Sequence, residues 1–284
     1  MRTSRQFLIG PPNSGKTTFL AALWHLIQAA EVPTELRLFK LHGVRTHLNK
    51  IRSDWIGCRT VDRTVIGAEQ YVAMQLEEPT TGEVTELVVP DMSGESFRLQ
   101  WKDRRWSVEY NQLLREAVGG LLFVHPAGIT EPARIDVADG LIAEIAGVSE
   151  ATNNSSPTIP WDADLAPTQV QLVDLLQFVA AHKARTRRLT LRLGIMISAW
   201  DLVEGEGRRP AEWFSRRLPM LAQYLTANGE RFDSRVFGVT AQGGELPRDR
   251  DRLQTFTEHS KRIRIVEGTE ESHDLTSPLH WVMG

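Results

Sequence analysis

Cysteine is nearly absent from this chain of 284 residues: Cys58 stands alone, which excludes an intrachain disulfide and a thiolate zinc site. Long apolar runs are missing too. No stretch approaches the roughly eighteen residues of a membrane-spanning helix. The first residues, MRTSRQFLIGPP, lack the apolar region of a signal peptide, so a cytoplasmic protein is expected. Lysine is scarce: only Lys16, Lys40, Lys50, Lys102, Lys183 and Lys261 stand among 33 basic residues, the rest being arginine. The net charge of −3 removes a bulk attraction to nucleic acid or acidic membranes. Where arginine covers the surface, a lysine at a chemically special position carries more weight.

What is present, 41% hydrophobic and 24% charged residues, suits a soluble globular chain with one large core. No internal repeat is visible, and residues 1–284 are expected to form a single domain. An apolar run at 6–9 ends at Gly10, and Phe19, Leu20, Leu23, Leu26 and Ile27 then recur at helical spacing. Residues 31–70 show weak patterning, with one helix expected around 43–55, and read as an extended region. YVAMQLEE (71–78) and VTELVV (84–89) flank a Pro-Thr-Thr-Gly-Glu turn and predict an antiparallel hairpin. Residues 97–117 have the spacing of one amphipathic helix, and 119–125 that of a strand buried on both faces. A helix is expected at 134–146 inside a long insertion, 127–168. After it come a helix at 169–182, a strand at 189–198, a helix at 210–228 bent at Pro219, a strand at 234–241, and one or two helices in the tail. This order predicts an α/β fold: a doubly wound, mostly parallel sheet with one antiparallel edge strand, flanked by helices.

Gly10-Pro11-Pro12-Asn13-Ser14-Gly15-Lys16-Thr17 fits GxxxxGK[ST] without a mismatch, between the first strand and the first helix. The two glycines let the loop wrap a phosphate so that backbone N–H groups, including those of Asn13, Ser14, Thr17 and Thr18, converge on it. The helix adds its positive end, Lys16 reaches the β- and γ-phosphates, and the Thr17 hydroxyl can ligate magnesium. The nucleoside triphosphate class of ligand follows from these residues alone.

A phosphate-loop protein needs a carboxylate near that magnesium, from the end of a neighbouring strand. Asp91-Met92-Ser93-Gly94 follows the apolar LVV and supplies Asp91, with the Gly94 N–H placed to sense a γ-phosphate. The pattern DxxG is cheap, about one match by chance in such a chain. A second copy, Asp54 to Gly57, follows no strand. The strand LGIMIS leads into Ser198-Ala199-Trp200-Asp201, where guanine-nucleotide proteins carry [NT]KxD; Asp201 would accept from the guanine N1–H and 2-amino group, or else cap a helix. One strand later, Thr240-Ala241-Gln242-Gly243-Gly244 would place the Ala241 backbone against the guanine carbonyl, unless it is a plain glycine turn.

Together these segments resemble the TRAFAC class of P-loop GTPases. LIGPPNSGKTTFLAAL, PDMSGESF, ISAWDLV and GVTAQGG are most similar to the bacterial double-GTPase family, over nearly the whole chain. The resemblance implies GTP and GDP as ligands, GTP hydrolysis, Mg2+, and partner proteins, among them another GTPase or an effector encoded nearby in a multi-gene prokaryotic conflict or defence system. Two departures stand out: Ala199 replaces the lysine that covers the base, and Glu95 stands where small signalling GTPases often have glutamine after DxxG. A carboxylate at 95 is repelled by the γ-phosphate, so hydrolysis is expected to be slow without a partner or self-association. Thr60 and Thr64 are both candidates for the magnesium-binding threonine of the first switch. Arg59 or Arg63 could act as a charge-stabilising finger, though a loop arginine is ordinarily solvated. Asn13 occupies a position where some resembling GTPases coordinate K+, and a turn asparagine bonding its own backbone is the simpler reading.

Other features have plainer expectations. The aromatic and basic run 101–106 reads as a solvated helix face with one core tryptophan. Lys183, Arg185, Arg187 and Arg188 sit near a helix end, where positive charge suits the dipole, and nucleic acid is not an expected partner. Two other readings remain: an ATP-dependent phosphotransferase, and a nucleotide-binding scaffold with little turnover.

Overall fold

The computed structural model describes residues 4–42, 45–60, 72–89, 94–106, 108–132, 163–183 and 190–284; for 94–96, 98–99 and 164 it describes the backbone alone. The predicted hairpin is present as β3 (Val72–Glu77) and β4 (Val84–Val89), closed by the Glu78 N–H donating to Glu83 O at 2.9 Å. Around it lies one nine-stranded sheet. With β1 (Ser4–Ile9), β2 (Arg37–His42), β5 (Ala117–Val124), β6 (Leu191–Ser198), β7 (Phe232–Thr240), β8 (Arg264–Glu267) and β9 (Glu270–Ser272), the order is β2-β3-β4-β1-β5-β6-β7-β8-β9. The five central strands from β4 to β7 are parallel.

Antiparallel pairing extends further than the single edge strand expected. The pairs β2·β3 and β3·β4 close one side, and β7·β8 and β8·β9 close the other. Both additions lie where patterning is weak. β2, RLFKLH, offers only Leu38 and Leu41 to the core, and all three residues of β9 are exposed. An edge strand with little buried surface writes little alternation into its sequence.

In the parallel centre, neighbouring residues face opposite ways and build two cores. Leu8, Leu121, Phe123 and Met196 face α1 (Lys16–Ala29), α2 (Arg45–Ile56) and the C-terminal helix. Phe7, Ile9, Leu122, Val124, Ile195 and Ile197 face the other side, where α4 (Val108–Glu116) and α5 (Thr168–Lys183) pack. The helix expected over 97–117 is broken into α3 (Gly94–Asp103) and α4, with Arg104 at φ +51° where the first one ends. The bend expected at Pro219 separates α6 (Pro210–Arg217) from α7 (Pro219–Ala227) at Leu218, since proline removes a helical donor. The tail holds α8 (Arg250–Gln254), the β8–β9 hairpin and α9 (Ser277–Met283). The helix expected at 134–146, and most of the insertion 127–168, lie outside the described residues. Trp24, Trp55, Trp200 and Trp213 are all fully buried, so four of the tryptophans among the described residues anchor the core.

Candidate functional site

β1 delivers the chain into the loop at Gly10, and the loop closes on its neighbours so tightly that two positions admit glycine only. Gly10 has φ +148°, and a Cβ there would meet Phe123 O at 2.6 Å. Gly15 has φ +92°, and its Cβ would meet the Ser198 Cβ at 2.8 Å. The C-terminal ends of β1, β5 and β6 are therefore within van der Waals reach of each other. Ser198 Oγ donates to Val124 O at 3.3 Å and completes the contact. Asn13 adopts φ +58° and is exposed. Ser14 is buried, and its N–H donates to Pro11 O at 3.3 Å.

Gly15 is the N-cap of α1, with no side-chain cap and no acidic residue in the first turn, so the positive end of the helix faces the loop without a counter-charge from those positions. Lys16 Nζ lies within the loop, donating to Gly10 O at 2.8 Å, Pro11 O at 2.7 Å and Ser14 Oγ at 3.1 Å. Burial lowers its pKa to about 8. Among the described residues no carboxylate is paired with it, and the partners found are neutral oxygens. Thr17 and Thr18 follow, half-buried, in the first turn.

At the far side, β6 ends at Ser198 and the chain turns through Ala199, held at φ +47°, into a short helical turn at 200–202. Trp200 is buried against β7 and meets Trp213 edge-on at 6.3 Å, which anchors the turn. Asp201 is half-buried, and its backbone N–H donates to Thr240 Oγ1 at 3.1 Å, tying it to the end of β7. The next residue, Ala241, is buried, and its carbonyl accepts from Trp55 Nε1 at 3.0 Å. The structure thus brings the phosphate loop, Asp201 and Ala241 to the same C-terminal edge of the sheet.

The remaining expected residues fall differently. β4 runs parallel to β1 and ends at Val89, so the chain leaves it at that same edge, but Asp91 itself and Thr64 lie outside the described residues. Gly94 opens α3, and Glu95 is described by its backbone alone. Thr60 is exposed just beyond α2. Arg59 pairs with Asp54 at 2.9 Å, so the aspartate of the second DxxG is engaged within its own helix end. Lys183, expected near a helix end where positive charge suits the dipole, is 7% exposed and donates to Arg115 O at 3.3 Å and to Ala117 O, at the end of a second helix as well as its own. Arg185, Arg187 and Arg188 lie outside the described residues.

Three residues at this edge were not foreseen. His125 follows β5, its Nδ1 accepting the Ala127 N–H at 3.2 Å; burial lowers its pKa, against the upward pull of Asp201. Trp55 holds the Ala241 loop from behind, and Arg262 in turn holds Trp55. Their contacts span 186 and 207 residues of chain, beyond any local signal.

Among solved structures, the chain is similar to the following three at low identity. The signal recognition particle receptor SRb-GTP/SRX complex from Chaetomium thermophilum shares 12% identity, with 89% of this chain and 96% of that one covered and a TM-score of 0.40. The GTP-bound Ski7 GTPase-like domain from S. cerevisiae shares 12%, covering 85% and 43%, with a TM-score of 0.40. The G domain of the T. maritima FeoB iron transporter shares 8%, covering 92% and 99%, with a TM-score of 0.31. No curated protein matches the chain. Residues 7–282, which include every expected site residue, match the Double-GTPase 1 family: the chain belongs to that family and is a GTP-binding P-loop protein.

Proposed function

We propose that the protein is a GTP-hydrolysing switch whose phosphate loop is Gly10–Thr17 and whose base-reading groups are Asp201 and the Ala241 loop. The observation that carries this is the contact of Gly15 with Ser198: it sets the phosphate-binding helix end beside the turn that bears Asp201. A triphosphate would take over the donors of Lys16 and the α1 N-terminus, and a purine would lie toward Asp201. Ala199 offers a methyl group where a lysine would cover the base.

Magnesium fits the donors proposed for it. Among the described residues no cluster of His, Cys, Asp and Glu could hold a metal alone, which suits a cation bound chiefly through phosphate oxygens. The Thr17 hydroxyl and the Asp91 carboxylate are the hard oxygens this chain would add, with Thr60 or Thr64 as a third. The cation neutralises charge on the transferred phosphoryl group. Asn13, exposed at the loop tip, is the candidate K+ ligand, tested by comparing turnover in potassium and sodium. Glu95 makes intrinsic hydrolysis slow, and a partner protein or a second copy of this chain accelerates it. A cytoplasmic multi-gene prokaryotic defence system is the setting the family resemblance suggests.

Titration of GTP, GDP and ATP with magnesium, followed by turnover, tests this reading. Tighter binding of ATP would favour the phosphotransferase instead. Asp201→Asn moves preference from guanine toward xanthine nucleotides, because the asparagine N–H donates where the 2-amino group that faced the carboxylate has become a carbonyl; unchanged selectivity returns Asp201 to a structural cap.

A further inference from the structure

We propose that Trp55, on a helix remote from the phosphate loop, is a positioning residue for base selection: its indole N–H holds the Ala241 carbonyl away from the nucleotide and so sets which way the Ala241–Gln242 peptide presents itself. This rests on the reading of residues 240–244 as the base-facing loop.

The joint is built from both sides. The last carbonyls of a helix have no partner within it, and α2 has no basic residue in its last turn. Local N–H groups serve some of them, that of Cys58 donating to Trp55 O at 3.2 Å, and further donors come from the far end of the chain. Trp55 O accepts from Arg262 Nη2 at 2.7 Å and from Gln242 Nε2 at 3.4 Å, and Cys58 O accepts from Arg250 Nε at 3.2 Å. Arg262, 2% exposed, also lies 4.0 Å over the Trp55 ring and donates to Cys58 Sγ at 3.1 Å. Trp55 is fully buried, so its one polar atom needs a partner, and that partner is Ala241 O at 3.0 Å. The loop is held elsewhere too, Gly243 O accepting from Arg252 Nη2 at 2.7 Å, while its Ala241–Gln242 peptide is held at the Ala241 oxygen.

That atom controls a whole peptide plane. The Ala241 carbonyl and the Gln242 N–H belong to one rigid unit and point in opposite directions. With the carbonyl turned into α2, the loop meets a purine with donors; a flipped peptide would turn an acceptor outward. An outward donor suits the guanine carbonyl at C6, and an outward acceptor suits the adenine amino group at the same carbon. Trp55 thereby acts on the base through the loop without touching it.

Trp55→Phe keeps the ring and removes the N–H. Three diphosphates serve as probes: GDP; the 6-thioguanine analogue, which keeps the N1–H and 2-amino group but puts a weakly accepting sulfur in place of the C6 oxygen; and ADP. The wild-type protein should bind GDP more tightly than the 6-thioguanine analogue. In Trp55→Phe, GDP binding should fall about tenfold while the analogue is unaffected, so their ratio collapses and the GDP-to-ADP ratio falls with it. Circular dichroism checks folding. Should Trp55→Phe fail to fold, Arg262→Lys loosens the same joint and should narrow the ratio about threefold. A folded variant that keeps the wild-type ratio overturns the role of Trp55. A wild-type protein indifferent to the C6 oxygen overturns the base-facing reading of the loop itself.

Discussion

Lys16 and Lys183 both donate to backbone carbonyls, yet they stand at opposite ends of helix dipoles. Lys183 lies at the C-terminal end of α4, bonded to Arg115 O and Ala117 O, where the helix needs a cation. Its charge is used by the fold. Lys16 lies at the N-terminal end of α1, where the helix already presents positive charge and a cation is disfavoured. Burial pushes its pKa down to about 8, and its partners are neutral oxygens. A structural lysine offsets an existing negative pole. Lys16 is held against the local field, a cost that an arriving anion would relieve.

Replacing each lysine by methionine tests the contrast. Lys16→Met should weaken GTP binding by about a hundredfold, as expected for losing a buried charged contact, while leaving the melting temperature unchanged or higher. A drop in stability with binding intact would reverse the assignment. Lys183→Met should do the converse: stability falls by about 2 kcal/mol because two carbonyls lose a donor, and GTP affinity stays the same. Thermal melts and a fluorescent-nucleotide titration read both variants.

The smallest expected effect concerns pH. The Lys16 pKa of about 8 belongs to the free protein, and a bound triphosphate raises it. Above pH 8, binding therefore takes up a proton, and affinity falls as pH rises, approaching a limit of about tenfold per unit. Below pH 8 the lysine is charged in both states and its contribution is flat. Titrations from pH 7 to 9, repeated with Lys16→Met, should show this slope in the wild type and its loss in the variant.

How much could be read beforehand follows the distance between interacting residues. The phosphate loop is eight consecutive residues between a strand and a helix, so its glycines and lysine declared themselves locally. The turn at Asp201 was legible for the same reason: a buried apolar strand ends at Ser198 and Asp201 follows three residues later. For Lys183 the helix-end position was legible but its partners were not, because they are carbonyls nearly seventy residues away in the chain. β2 and β9 were missed because edge strands bury too little to impose alternation.

The sequence by itself determined that a strand, a glycine loop and a helix would form a phosphate cradle, because backbone geometry there depends on residues in contact along the chain. Only the tertiary structure decided that Gly15 would rest on Ser198, that Lys183 would close α4, and that Trp55, itself held by Arg262, would hold the Ala241 loop. Those contacts join segments far apart in the chain, and their energies arise from burial and orphaned helix carbonyls that exist only once the sheet has assembled.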